Sequence, residues 1–363
     1  MSAVSDHDKI VAQTAERIFA DLADPQTINA AQSGPARSDA WEAQLWSALT
    51  NAGLTLAWVP EEFAGSGASI TEGFDVIHAA GRAASAVPLA ETMLAGWLLA
   101  QGGIASPAGA MTIAPVNPAH RLTLGADGRI SGRASGIPFA ARAEHIAAVA
   151  DTPHGCAVAL IDAASCRITP STSLAGDGSD TVIFENVAPV ALSDRLPPGF
   201  DRTTAYLMGA AARSVQIAGA LQTILNITVQ YATERVAFEK PIAKFQAIQH
   251  SLARLAGEVA AASAASSSAA DTIANDAGNP DGLLLEIASA KIRCGEAAEQ
   301  VAAIAHQVHG AIGFSSEHVL HRFTLRALSW RDDFGSESFW AAELGKRIAA
   351  RGADELWPLL ASR

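Results

Sequence analysis

The feature that most constrains this chain is a change of hydrophobic period, helical at both ends and strand-like in the middle. Phe245, Ile248, Leu252, Leu255 and Val259 alternate spacings of three and four, which is the apolar stripe of one face of a long helix. The helical period holds from about Asp201 onward. After the Asn279-Pro280 break, LLLEIASAKIRCGEAAEQVAAIAHQVHG predicts a second long helix, and SFWAAELGKRI, with Trp340, Leu344 and Ile348, a later one. The alanine- and serine-rich GEVAAASAASSSAAD predicts close helix-to-helix approach rather than a linker.

The N-terminal part is also helical in period. Ile10, Val11, Ile18, Phe19 and Leu22 share one face, and Ser38 precedes a run carrying Trp41, Leu45 and Leu49 that Gly53 can close in a left-handed cap. A Gly/Ser-rich loop, WVPEEFAGSGAS, leads to one further helical run from about Thr71 to Gln101. Between roughly 105 and 195 the period shortens: Asp127-Gly128 in LTLGADGRIS signals a hairpin, and EHIAAVA, CAVALID, CRITPS and TVIFENV follow as short strands. Three units are expected, helical over 1–104, β over 105–195 and helical over 196–363.

Charge and cysteine usage narrow the function. A net charge of −12 with no Lys/Arg run argues against a nucleic-acid binder and favours small molecules or proteins as partners. Cys156, Cys166 and Cys294 show no metal-binding or disulfide spacing, which fits a reducing cytoplasm. The N-terminus lacks the basic-then-apolar layout of a signal peptide. AYLMGAAARSVQIAGALQTIL, the most apolar segment, is interrupted by Arg213 and Gln216 and predicts a buried helix rather than a membrane span. Most of the seven Trp fall at apolar helical positions and are expected in the core.

YATERVAFEKPIAKFQAIQH, Tyr231 to His250, closely resembles the acyl-CoA dehydrogenase family, which carries Arg-x-x-Phe-Gly-x-x-Ile followed by Phe-Gln here. The matching residues are Arg235, Phe238, Ile242, Phe245 and Gln246, with Glu239 where Gly is usual. QVHGAIGF, Gln307 to Phe314, is similar to the family's Gln-x-x-Gly-Gly-x-Gly-Phe, with Ala311 for the second Gly, and WVPEEFAGSGAS to its Pro-Glu-Glu-x-Gly-Gly-x-Gly loop. The residues alone leave two readings. Arg235 can fork onto a pyrophosphate with Phe238 and Phe245 flanking a flat ring, or both Phe are core and Arg235 is a helix-end cation.

The resemblance implies a mainly α fold with a central β domain: an N-terminal helical domain, a middle β-barrel and a C-terminal four-helix bundle. It implies FAD as cofactor, an acyl-CoA substrate and an electron-transfer flavoprotein as electron acceptor. Arg235, Phe238, Phe245 and Gln246 would hold FAD, and Gln307 and Gly310 of a neighbouring subunit would complete the site; Ser336 joins the cofactor-binding candidates.

Dehydrogenation of an acyl thioester needs a base for the α-proton, hydrogen bonds to the carbonyl and an acceptor for the β-hydride. The family's base is a Glu at one of two positions. Counting from His309 puts the first at Phe334, between Asp333 and Glu337, and counting back from Arg235 puts the second at Gly209. No carboxylate occurs between Thr203 and Thr233. The flavin-contacting loop Thr-Glu-Pro-x-x-Gly-Ser-Asp is replaced by MTIAPVNPAH, and Phe139 stands where Trp is frequent.

Three readings follow. An active homotetramer recruits Glu337 or Asp333 as base; a heterotetramer pairs this base-lacking chain with a paralogous subunit, as in bacterial members acting on bulky substrates such as steroid side chains; or the chain is a flavin-free structural partner. For Asp333, Ser336 and Glu337 the plain alternative is a capped acidic helix start. His309 and His321 are expected as packed or capping residues, and Glu61 and Glu62 as solvated.

Overall fold

The computed structural model describes residues 6–33 and 40–361. Its first part is helical: α1 (Asp6–Leu22), α2 (Pro25–Ser33), α3 (Ala40–Asn51), α4 (Ile70–Ala83) and α5 (Leu89–Gln101). Leu45 and Leu49 of α3 are fully buried, and Gly53 beyond it adopts φ 72°. Ser38, expected to precede this helix, lies outside the described residues. The single helical run expected over 71–101 is two helices. Ala84 turns left-handed at φ 44°, and Pro88, which has no N–H to donate, starts the second helix instead of continuing the first.

The central part is a curled, open sheet. Its strands are β1 (Met111–Ala114), β2 (Leu122–Leu124), β3 (Ile130–Pro138), β4 (His145–Thr152), β5 (Gly155–Asp162), β6 (Arg167–Thr169), β7 (Ser179–Val187) and β8 (Ala191–Leu192). They run in the order β6-β7-β3-β2-β4-β5-β8, with β1 parallel to β4 on the same edge as β2, so the barrel stays a half-barrel. The Asp127-Gly128 signal forms the β2–β3 turn, where Gly128 sits at φ 75° and Asp127 Oδ1 accepts from Arg129 N–H.

The last part is a bundle of α6 (Arg202–Glu234), α7 (Gln246–Asn275) and α8 (Pro280–His309), followed by α9 (Leu320–Trp330), α10 (Glu337–Arg351) and α11 (Leu356–Ala361). A small hairpin, β9 (Val236–Ala237) and β10 (Lys240–Pro241), joins α6 to α7. The alanine/serine segment lies inside α7, where Ala262, Ser266, Ala269 and Ala270 are buried. Asn279 caps α8 by accepting from Gly282 N–H, with Pro280 in its first turn. Among the described Trp, Trp58, Trp97, Trp330 and Trp340 are core, but Trp357 is 74% exposed because α11 packs few neighbours. No described helix is long and apolar enough to cross a membrane.

The N-terminal helices are fixed to the bundle by backbone contact. A Cβ on Gly81 of α4 would lie 2.1 Å from Gln216 O, and one on Gly219 of α6 would lie 2.3 Å from His78 O. Gly→Ala in a helix ordinarily adds about 1 kcal/mol of stability. Here Gly81→Ala or Gly219→Ala is expected to lower stability by about 2 kcal/mol or more in urea titrations, because no rotamer relieves a clash with a carbonyl.

Candidate functional site

The two counted base positions meet in space. Gly209 lies in the first third of α6, and a Cβ there would come within 2.3 Å of Cδ1 of Phe334. The Phe334 ring, 1% exposed, therefore lies directly on the Gly209 backbone. Phe334 adopts φ 57°, a conformation that costs a non-glycine residue about 1 kcal/mol, and is held at both backbone groups. Its N–H donates to Val116 O at 3.2 Å and its carbonyl accepts from Trp340 Nε1 at 3.0 Å.

The acids on either side are committed to ion pairs. Asp333 accepts from Arg213 Nε at 2.9 Å; burial pushes its carboxyl upward and Arg213 opposes that push. Glu337 accepts from Arg331 Nε at 2.6 Å, and its side chain lies against α8 in the space a Cβ at Gly295 would enter. Ser336 caps α10, its hydroxyl accepting from Phe339 N–H at 3.4 Å.

The segment MTIAPVNPAH packs down on this turn. Beyond β1, Asn117 O accepts from Tyr206 Oη at 3.1 Å and Pro118 O from Arg202 at 2.6 Å, while Val116 is buried beneath Phe334 N–H. Burial raises the Tyr206 hydroxyl to about 12, so it stays a donor. The space left between Ile113, Pro115, Val149, Ala205, Tyr206 and Phe334 is about 10 Å³, the threshold for one water. Phe139, which stands where the family frequently has Trp, is 7% exposed at φ 53°.

The other candidates gather at the opposite kind of surface. Because α6, α7 and α8 run antiparallel, the C-terminal end of α6, the start of α7 and the C-terminal end of α8 meet, as the Tyr231 ring stacked on His309 at 4.3 Å shows. Arg235 is exposed, and its side chain makes no hydrogen bond or ion pair among the described residues; the same holds for Gln246 and Gln307. Phe238 is 89% exposed and meets Phe245 edge-on at 6.1 Å, with Lys240 over the Phe245 ring at 4.5 Å. Gly310, at φ 67°, opens a 3₁₀ turn, Gly310–Phe314, that leaves Phe314 72% exposed. Donors, a guanidinium and aromatic faces are thus presented together, a surface suited to a flat, pyrophosphate-bearing cofactor. Glu61 and Glu62 are exposed.

Two features escape sequence reasoning. The first is Arg213, 1% exposed on α6 and paired with Glu91 of α5 as well as Asp333. Its signal was an arginine in an apolar helix with no acid between 203 and 233, which has to find counter-charge elsewhere. The second is a group of four histidines under the exposed end. His309 Nδ1 bonds Ala305 O at 2.7 Å, His318 lies 4.7 Å away, His306 stacks on Phe314, and His321 bonds His318 O.

Fold and site define a class: a helical, half-barrel and bundle chain with one closed interior site and one open, cofactor-like end. The profile of the acyl-CoA dehydrogenase C-terminal domain matches residues 199–348. Acyl-CoA dehydrogenase FadE27 of Mycobacterium tuberculosis is 26% identical over 334 residues, covering 85% of this chain and 89% of that protein. Acyl-CoA dehydrogenase IpdE2 of the same organism is 29% identical over 325 residues, covering 88% and 90%. The fold matches the Mycobacterium tuberculosis ChsE4-ChsE5 complex with TM-score 0.82 at 22% identity, over 96% of this chain and 98% of that one. The Tcur3481-Tcur3483 steroid ACAD matches with TM-score 0.82 at 24% identity, over 95% and 98%. The C-terminal part of the chain thus matches the acyl-CoA dehydrogenase C-terminal domain, and the chain is similar over most of its length to acyl-CoA dehydrogenases.

The histidine group predicts an acid limit. Burial pushes His309 down to about 4, with His318 and His306 adding to the effect, and burial lowers His306, His318 and His321 as well. As pH falls from about 6.5 toward 4, the unfolded His309 takes up a proton that the folded one refuses, so stability is lost. Urea midpoints should drop over this window, with His309 responsible for up to about 3 kcal/mol. His309→Gln should flatten the slope by about one proton; an unchanged slope would place the acid sensitivity elsewhere.

Proposed function

We propose that this chain is the base-lacking subunit of a heteromeric, FAD-dependent acyl-CoA dehydrogenase. The observation that carries the reading is the Phe334 ring lying on Gly209, which fills both positions from which the family's Glu acts. With Asp333 tied to Arg213 and Glu337 to Arg331, neither neighbouring acid is free to take up an α-proton. Base and substrate pocket then belong to a paralogous partner, completing a heterotetramer.

What this chain contributes is its open end. Arg235, Phe238, Phe245 and Gln246, with Gln307 and Gly310, would hold the outer part of an FAD seated mainly in the partner, the guanidinium on its pyrophosphate and the rings beside its flat portion. When bound, FAD accepts the hydride from the β-carbon of the acyl thioester. The chain's own residues bind and orient. Two fold neighbours support a mixed assembly: one is described as a ChsE4-ChsE5 complex and the other as a steroid ACAD, which also favours a bulky acyl-CoA as the partner's substrate. The electron acceptor is an electron-transfer flavoprotein, and the assembly works in the cytoplasm.

Co-expression with the product of an adjacent paralogous gene tests the reading. A stable mixed oligomer, yellow only when both chains are present, is expected. Arg235→Ala should weaken its FAD binding about tenfold or more, the loss of roughly one charge-assisted pair. Glu337→Gln should leave turnover within about twofold, a change below 0.5 kcal/mol. One FAD per chain in this protein alone, with dye reduction lost in Glu337→Gln, would establish the active homotetramer instead; a colourless mixed oligomer would establish the structural partner.

A further inference from the structure

The turn that carries Phe334 is gripped by two buried cations from different helices. Arg213 follows Gly209 by one turn of α6, on the same face. Its Nε donates to Asp333 at 2.9 Å, its Nη1 to Gln216 and its Nη2 to Glu91, and the guanidinium lies 6.0 Å from the Trp330 ring. Lys291 of α8 is fully buried, and its Nζ donates to the carbonyls of Arg331 and Gly335, the latter at 2.8 Å. Four of the six residues from Arg331 to Ser336 are therefore fixed: Arg331 and Gly335 through carbonyls, Asp333 through its carboxylate, and Phe334 through both backbone groups.

Stability alone does not call for this arrangement. Well-packed apolar side chains replace buried ion pairs at little or no cost, whereas such pairs do fix one geometry among several. The geometry that needs fixing is the left-handed Phe334, which an unrestrained chain would leave for an extended or right-handed conformation that swings the ring off Gly209. Burial opposes the charge on both cations, yet Glu91 and Asp333 keep Arg213 above its ordinary range, while Lys291 is lowered to about 8.

We propose that Arg213 and Lys291 are a positioning pair that locks the Arg331–Ser336 turn in the one conformation that seats Phe334 on Gly209, so that the chain's own acyl site is held shut by a salt bridge and buried hydrogen bonds rather than merely lacking a base. The consequence for substrate rests on the base-lacking reading; the lock itself does not.

Trp340 reports on the lock through its indole N–H on Phe334 O, and Trp58, whose indole N–H donates to Ile70 O at 3.0 Å and not to the turn, is an internal control. Amide exchange and indole 15N–1H spectra are compared for the unaltered full-length chain, Arg213→Met, Lys291→Met and the milder Arg213→Lys. In the unaltered chain the Phe334 amide should exchange among the slowest. In Lys291→Met and Arg213→Met it should speed up tenfold or more and the Trp340 indole signal should shift or broaden, while Trp58 stays in place. Arg213→Lys, which keeps the charge but loses the fork, should fall between.

Rapid Phe334 exchange in the unaltered chain would overturn the proposal even where a Met variant fails to fold. So would folded Met variants whose Phe334 and Trp340 signals match the unaltered ones. A change spread equally over Trp58 and Trp340 marks general loosening and also counts against it. Independent FAD binding and dye reduction by the chain alone would refute the base-lacking reading while leaving these signals, and the lock, to be judged on their own.

Discussion

A guanidinium with 1% of its side chain exposed is tolerable only if its counter-charges come to it, and in this chain they come from two other segments. Glu91 arrives on α5 and Asp333 on the turn before α10, so Arg213 ties the N-terminal helices, the bundle and that turn at one point. The sheet is attached at the same place. Val116, Asn117 and Pro118, just past β1, accept hydrogen bonds from Phe334 N–H, the Tyr206 hydroxyl and Arg202. Thr92 of α5 bonds both backbone groups of Met111 at 3.1 Å, completing the link between helices and sheet. Three parts of the chain thus converge on this turn, and the gap among Ile113, Pro115, Val149, Ala205, Tyr206 and Phe334 is about 10 Å³.

How legible this was in the sequence depended on the range of each interaction. Long helices are written locally: the stripe from Phe245 to Val259 and the Asn279-Pro280 stop required only neighbours, and α7 and α8 follow them. The β2–β3 turn was equally local, carried by Asp127-Gly128. The break between α4 and α5 was read through because Ala84 to Val87 continue an apolar pattern, and the decisive residue, Pro88, acts on the backbone rather than on the period. The family resemblance, counted along the chain, put Phe334 and Gly209 at the expected base positions. It could not show that they touch, since 125 residues separate them (334 − 209). The pairing of Arg213 with Glu91 is of the same kind, set by three-dimensional packing and invisible to any periodicity.

The two ends of the site also differ in what the chain does with its polar groups. At the turn, the backbone groups of Phe334 and the carboxylates of Asp333 and Glu337 are matched within the chain. At the far end, Arg235, Gln246 and Gln307 have no partner among the described residues, and Phe238 and Phe314 stand in solvent. An isolated monomer gains nothing from 89% exposure of a Phe, and contiguous aromatic exposure of this kind is the mark of a surface that is covered in use.

The hairpin at that end carries this argument one step further. Phe238 and Glu239 are the central residues of a two-residue loop with φ 50° and 65°, the type I′ geometry that Gly or Asn would enter without strain. Retaining a Phe there keeps an aromatic face fixed at the tip, and the strain is tolerable only if the ring is repaid by contact. Glu239 would repel a pyrophosphate, but Arg235, Lys240 and Lys244 surround it, so the hairpin with Glu234 and Glu239 remains one charge positive, three cations against two anions, in a chain that carries −12 overall. A local reversal of sign, unpaired donors and a strained aromatic tip are three independent features that the same occupant, a flat and anionic cofactor shared with a partner subunit, would satisfy together.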